Sequence, residues 1–226
     1  MNDQLKDMID EYKIFNDSMG DITNVEHNIE LVSQPEIKIQ NYSIPLKYRE
    51  RAREHTQKLL DNDIIFRTQS DIISAAFFVS KKNTEDLRML VDYRALNAVT
   101  KIIPFPFPKI HDYLIQLSGA TIFSQIDMKN GYYQIRMAPE DMKKTAFSLD
   151  NQVYAFKRMP YGLVNAPRTF QMTMMDILGD LEYVKVYLDD VLIYSDTHEN
   201  HILHIQEVLK RFKTTKLESI LKNRYF

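Results

Sequence analysis

The chain has 226 residues, 44% of them hydrophobic, with 5 Gly, 8 Pro and no Cys. This supplies one sizeable core, or a core with a smaller lobe, and excludes disulfides and thiolate metal sites. A net charge of -2 and a pI near 6.3 exclude phosphate binding through an overall Lys and Arg excess, so any nucleic-acid contact must come from local basic stretches at 47–58, 81–94, 143–144 and 210–216.

The first residues are charged, without the apolar region of a secretory signal, and no apolar run reaches the roughly 18 residues of a membrane helix. No membrane partner is expected. Residues 1–30 are polar, without a sustained period, and read as a flexible arm or linker. Residues 46–63 are charged, with Tyr48, Ala52, Leu59 and Leu60 interspersed, and read as a surface helix. Residues 72–80 form a continuous apolar run, followed by a polar turn at 83–86 and a second strand from Leu87. Together they predict a hairpin.

Pro104, Pro106 and Pro108 predict an extended connector. Ile110, Tyr113, Leu114 and Leu117 then recur at helical spacing up to Gly119. Residues 121–127 read as a strand ending at Asp127, and Tyr133, Ile135 and Met137 alternate like a strand face. Two β-type runs meet at Asp150 and Asn151. Pro167 suits the start of a helix whose apolar stripe is Phe170, Met174, Ile177 and Leu178. Val184, Val186 and Leu188 alternate toward Asp189 and Asp190, another strand follows, and Ile202, Ile205, Leu209 and Phe212 mark a last helix. Mixed strands, helices and hairpins predict an α+β sheet covered by helices on one face.

Two adjacent carboxylates between apolar strands have two readings. They are good turn residues, or they are part of a site, which needs a third carboxylate at another strand end. Asp127 supplies it. Three such carboxylates make a hard, oxygen-rich site for Mg²⁺, and two ions roughly 3.5–4 Å apart can clamp the attacking and leaving oxygens of a phosphoryl displacement. Spacing alone leaves both readings open.

Four segments add a resemblance. FSQIDMKNGYYQIRM resembles the first polymerase motif of gypsy-type LTR-retrotransposon reverse transcriptases, and RMLVDYRALNAVT resembles the fingers motif upstream of it. FKRMPYGLVNAPRTFQ resembles the substrate-site motif with its following helix, and VYLDDVLIYS resembles the metal-binding hairpin. They occur in the family's order, within a similarity that runs from about Val25 to about Lys213. The resemblance implies the fingers and palm of a right-hand polymerase: fingers about 45–118 with part of 139–160, and a ferredoxin-like palm, an antiparallel sheet backed by helices, at about 119–138 and 161–226. It places the thumb as absent or truncated.

It further implies RNA-directed DNA polymerase chemistry, with a template and primer of RNA or DNA, deoxynucleoside triphosphates, and two Mg²⁺ that Mn²⁺ can replace. Asp127, Asp189 and Asp190 become the catalytic, metal-binding carboxylates. Lys81 and Arg88 become triphosphate contacts, with Lys82 an alternative register for Lys81. Tyr132 becomes the ring beneath the incoming sugar, and Tyr161 with Gly162 the base-and-sugar platform. Phe170 and Gln171 match the family's Phe-Gln pair. Lys222 lies near the family's late lysine, but its spacer differs. An intracellular setting, cytoplasmic or nuclear, is expected.

Three rivals remain. His198, His201 and His204 recur every third residue, but such positions rotate about 60° apart on a helix and do not converge like a zinc set. A nucleotide cyclase shares paired carboxylates but lacks the fingers and substrate-site motifs. A catalytically incomplete remnant that binds nucleic acid without extending primers is the alternative function.

Overall fold

Strands and helices follow in the order β1 (Ile22–His27), α1 (Arg49–Asp61), β2 (Ile65–Arg67), β3 (Ser74–Ser80), β4 (Leu87–Asp92), α2 (Arg94–Ala98), α3 (Ile110–Gln116), β5 (Ile122–Asp127) and β6 (Ile135–Met137). Then come β7 (Phe147–Leu149), β8 (Gln152–Phe156), α4 (Ala166–Leu178), β9 (Val184–Tyr187), β10 (Asp190–Ser195), α5 (His198–Thr215) and β11 (Ile220–Lys222). The structure is a computed structural model that describes residues 20–36, 42–80, 87–128, 130–217 and 219–222. The chain divides into two compact units, Met1–Val25 with Pro104–Gln134 and Pro167–Phe226, and Glu26–Ile103 with Ile135–Ala166.

The first unit is built on a four-stranded sheet in the order β11-β5-β10-β9, with every pair antiparallel. The chain path β5-α4-β9-β10-α5-β11 gives the ferredoxin-like βαββαβ arrangement. One sheet face is apolar because alternate residues point the same way: Ile126, Val184, Val186, Val191 and Ile193 are all buried. The helices supply the matching stripes, Phe170, Met174, Ile177 and Leu178 from α4 and Ile205, Val208, Leu209 and Phe212 from α5. Pro167 sits in the first turn of α4, where a missing N–H costs nothing. Thr197 caps α5 by accepting from the Asn200 N–H at 3.3 Å. Arg211 joins the two helices, donating to Ile177 O at 2.9 Å and to Asp180 Oδ2 at 2.9 Å.

A buried polar chain fixes α5 to the sheet. His201 is 1% exposed. Its Nε2 lies 2.8 Å from Ser124 Oγ on β5, and its Nδ1 lies 2.8 Å from Ser195 Oγ on β10. Ser195 Oγ also meets His204 Nδ1 at 2.7 Å, and the His204 ring stacks on Tyr183 with 3.6 Å between centroids. Burial, and then the neighbouring His204 and His198, push the His201 imidazole down to about 4.

The second unit carries a five-stranded sheet in the order β2-β8-β7-β3-β4. β7 and β8 meet in a tight hairpin at Asp150 (φ 46°) and Asn151 (φ 62°), two residue types that tolerate the left-handed region such a turn demands. α1 buries Ala52, Thr56 and Leu59 and leaves its charged face exposed. β3 and β4 pair antiparallel from Ala75–Asp92 to Ser80–Leu87; the predicted turn at 83–86 lies outside the described residues.

Two segments differ from the sequence reading, and a third forms as read but packs differently from a core helix. Ile22–His27 is a strand and not linker; only Ile22 and His27 at its ends are fully buried, which leaves no apolar alternation to detect. Tyr133 does not start a strand, because Gly131–Gln134 is a 3-10 turn entered through Asn130 at φ 47°, and β6 begins at Ile135. α3 forms as expected but buries none of its residues, leaving Ile110, Leu114 and Ile115 exposed.

The buried His201 makes stability pH-dependent. Its folded pKa lies below the unfolded value near 6.5, so its contribution is full above pH 6.5 and is lost as pH falls toward about 4. The loss is of order 3 kcal/mol. Urea melts of wild type and His201→Gln across pH 4–7 should show a shallower pH dependence in the variant, and parallel curves would reject this assignment.

Candidate active site

The site is assembled by sheet register. Asp127 is the last residue of β5 and Asp190 the first of β10, and they are direct cross-strand partners. Opposed residues of an antiparallel pair project from the same face, with Cβ atoms roughly 4.5–5.5 Å apart. Asp190 also pairs with Tyr187 on β9, so Leu188 and Asp189 form a two-residue turn between the strands. Leu188 has φ 52°, a conformation that such hairpin turns usually give to Gly, Asn or Asp and that costs a branched side chain energy.

The turn is held from two sides. The Met128 N–H donates to Asp189 O at 3.1 Å, which joins the end of β5 to the turn. The Leu188 N–H donates to Gln171 Oε1 at 2.7 Å. Asp190 Oδ1 accepts from Gln125 Nε2 at 2.7 Å. Gln125 escapes a motif-led reading, yet it sits two residues before Asp127 and therefore shares its face, a periodicity visible in the sequence.

Three carboxylates held this close repel one another. Burial raises the Asp189 carboxyl to about 6, and the charges of Asp127 and Asp190 push in the same direction. Asp189 Oδ1 is buried without a hydrogen-bond partner. An orphaned carboxylate oxygen beside two more carboxylates is the donor chemistry of a hard divalent cation, which would satisfy the oxygen and cancel the repulsion. Among the described residues, no group of three His, Asp or Glu side chains is closed around a single metal position. The fit therefore rests on donor chemistry and on the buried oxygen.

Tyr132 lies in the same unit, 7% exposed, with its ring 5.2 Å from that of Phe170. Burial, and then the charge of Asp189, push its phenol up to about 12. Gly131 is required before it, because a Cβ there would fall 2.7 Å from Phe170 Cζ. Tyr133 is pushed up to about 12 by burial alone, as a packed tyrosine is.

Arg88, Tyr161 and Gly162 belong to the second unit. Arg88 is exposed on β4, opposite Val79. Tyr161 is exposed, and Gly162 has φ 98°. The Asn97 amide holds this loop, donating through Nδ2 to Gly162 O at 2.8 Å and accepting the Val164 N–H at 3.0 Å. Asn165 in turn donates to Lys101 O at 2.9 Å and accepts from the Ile103 N–H at 3.1 Å. Lys81 and Lys82 lie outside the described residues. Lys222 sits on β11 opposite Gln125.

Comparison with known proteins agrees with this geometry. Residues 79–221 match the reverse transcriptase (RNA-dependent DNA polymerase) family. The Tf2-3 transposon polyprotein of Schizosaccharomyces pombe is 33% identical over 199 residues, 87% of this chain and 15% of that protein. The retrovirus-related Pol polyprotein from transposon opus of Drosophila melanogaster is 34% identical over 212 residues, 90% of this chain and 21% of that protein. The chain thus spans a minor part of the polyproteins it matches. The crystal structure of the prototype foamy virus protease-reverse transcriptase superposes with a TM-score of 0.89 at 23% identity, covering 97% of this chain and 30% of that one. The foamy viral enzyme in complex with an RNA/DNA hybrid gives 0.84 at 22%, covering 98% and 31%. These likenesses establish the fingers-and-palm fold. The chain belongs to the reverse transcriptase (RNA-dependent DNA polymerase) family.

Proposed function

We propose that this domain adds deoxynucleotides to a primer 3′-hydroxyl on an RNA or DNA template, with Asp127, Asp189 and Asp190 as ligands of two Mg²⁺. The observation that carries the reading is the cross-strand pair Asp127–Asp190 with the buried, unsatisfied Asp189 carboxylate beside it. The solved foamy viral enzyme takes dsDNA and an RNA/DNA hybrid, which supports the same class of partner here.

The bond that forms joins the primer 3′-oxygen to the α-phosphorus, and the bond that breaks releases pyrophosphate. When bound, the two ions supply Lewis-acid stabilisation of the attacking and leaving oxygens. The protein's own work is positioning and charge balance. Asp127 and Asp190 present their carboxylates from paired strands, so their separation is fixed by backbone hydrogen bonds. Asp189 adds a third, ionised above pH 6. Arg88, with Lys81, answers the triphosphate with a planar fork and a point charge. The Tyr132 ring, backed by Phe170, closes the space a 2′-hydroxyl needs. Tyr161 and the backbone at Gly162 form the platform for base and sugar.

The decisive experiment is primer extension with oligo-dT on poly-rA and Mg²⁺. Wild type should incorporate, and Asp189→Asn should fall by at least about 100-fold while remaining folded. Full activity in a folded Asp189→Asn would remove the site assignment. A folded but inactive wild type would favour a domain that binds nucleic acid without extending it.

Tyr132→Ala should relax discrimination against ribonucleotides by roughly 10- to 100-fold, measured as the ratio of kcat/KM for the two sugars in protein shown to be folded by circular dichroism. An unchanged ratio would reject the steric role.

Asp189 also predicts a stability effect without metal. Its folded pKa is raised, so its contribution is present below the unfolded value near 3.9 and lost as pH rises through about 6. Asp189→Asn should therefore be more stable than wild type at pH 7.5, by roughly 1–3 kcal/mol, with the gap closing toward pH 4. Mg²⁺ should raise the Tm of wild type and not that of the variant. Equal stability at pH 7.5 would contradict the buried-charge account.

A further inference from the structure

We propose that Gln171 is a positioning residue for the carboxylate turn: its buried amide pins Leu188 in a conformation leucine disfavours, and so sets where the Asp189 carboxylate meets a metal ion. The proposal rests on the metal-binding reading above and concerns what orients that site.

Gln171 lies on α4 and is 0% exposed. A buried amide must be paired at both ends, and both of its partners belong to the hairpin. Oε1 accepts from the Leu188 N–H at 2.7 Å, and Nε2 donates to Val186 O at 3.0 Å. The amide thus spans the last turns of β9 and holds the residue at which the chain reverses. Tyr113 on α3 adds a second donor to the same carbonyl, its hydroxyl 3.1 Å from Val186 O.

The clamp has something to hold. Leu188 sits at φ 52°, where its Cβ crowds the backbone and where glycine would sit without strain. Without the Gln171 acceptor, the Leu188 N–H loses its partner and the turn is free to relax toward negative φ. Such a relaxation rotates the Leu188–Asp189 peptide, and Asp189 moves with it. Asp189 Oδ1 has no hydrogen bond of its own, so none holds that oxygen in place against a shift of the backbone. Outer residues that orient metal ligands typically change affinity by 10- to 100-fold when altered.

The test measures Mn²⁺ alone binding to the full chain, by electron paramagnetic resonance of the free ion, for wild type, Asp189→Asn, Gln171→Met and Gln171→Met/Leu188→Gly. Methionine keeps the volume and removes both hydrogen bonds. Gln171→Met should weaken binding by about tenfold with near-UV circular dichroism retained. Adding Leu188→Gly, which makes positive φ free of strain, should restore most of the loss. A purely structural glutamine would lower Tm and would not be rescued by glycine at 188. Wild-type Mn²⁺ affinity in Gln171→Met, with binding lost in Asp189→Asn, would overturn the proposal and leave the metal reading standing. Wild-type affinity in Asp189→Asn would remove both. If Gln171→Met does not fold, Gln171→Asn, one methylene short of both partners, decides by the same comparison.

Discussion

The site depends on holding like charges together against their own repulsion. Asp127 and Asp190 face each other because β5 and β10 are in one register, and a slip of one residue would send one of them to the opposite face of the sheet. The backbone ladder pays for this proximity, and the apolar face beneath it secures the register. Ile126, Val191 and Ile193 lie fully buried on the reverse of the strands that present the carboxylates. The same alternation that fills the core therefore aims the chemistry.

Loops around the candidate groups are held by amide side chains more than by ion pairs. Gln171 grips the carboxylate turn, Asn97 grips the loop at Gly162, and Asn165 grips the connector at Lys101 and Ile103. An amide offers a donor and an acceptor without a charge to desolvate, so it can be buried and still satisfy backbone on both sides. At Gln171, beside the carboxylate turn, this neutrality matters, because a cation in the same place would compete with the proposed metal ions for the carboxylates' charge.

Much of this was legible in the sequence, for identifiable reasons. Asp150 and Asn151 announced their hairpin because few other residues tolerate two successive positive φ values. The stripe from Phe170 to Leu178 announced α4, and the alternation at Val184, Val186 and Leu188 announced the strand before the carboxylates. What stayed hidden depended on long-range partners. Gln171 reads as an ordinary polar helix residue until β9 is placed beside it. β1 has too few buried positions to show a period, and α3 has a helical apolar spacing whose residues are exposed. Tyr132 and Tyr133 look alike in composition; the resemblance singled out the first, and in the fold it alone of the two feels the charge of Asp189.

Phe170 and Gln171 are neighbours on one turn of α4, and each supports a different part of the site. The first backs the ring at Tyr132, with Gly131 pressed against it; the second fixes the carboxylate turn. A redesign that tilts this helix to open space beneath Tyr132 would drag the hairpin along. On the roles proposed for Tyr132 and Asp189, sugar selectivity and metal geometry would be mechanically geared through this single helical turn, and neither would be tuned without compensating the other.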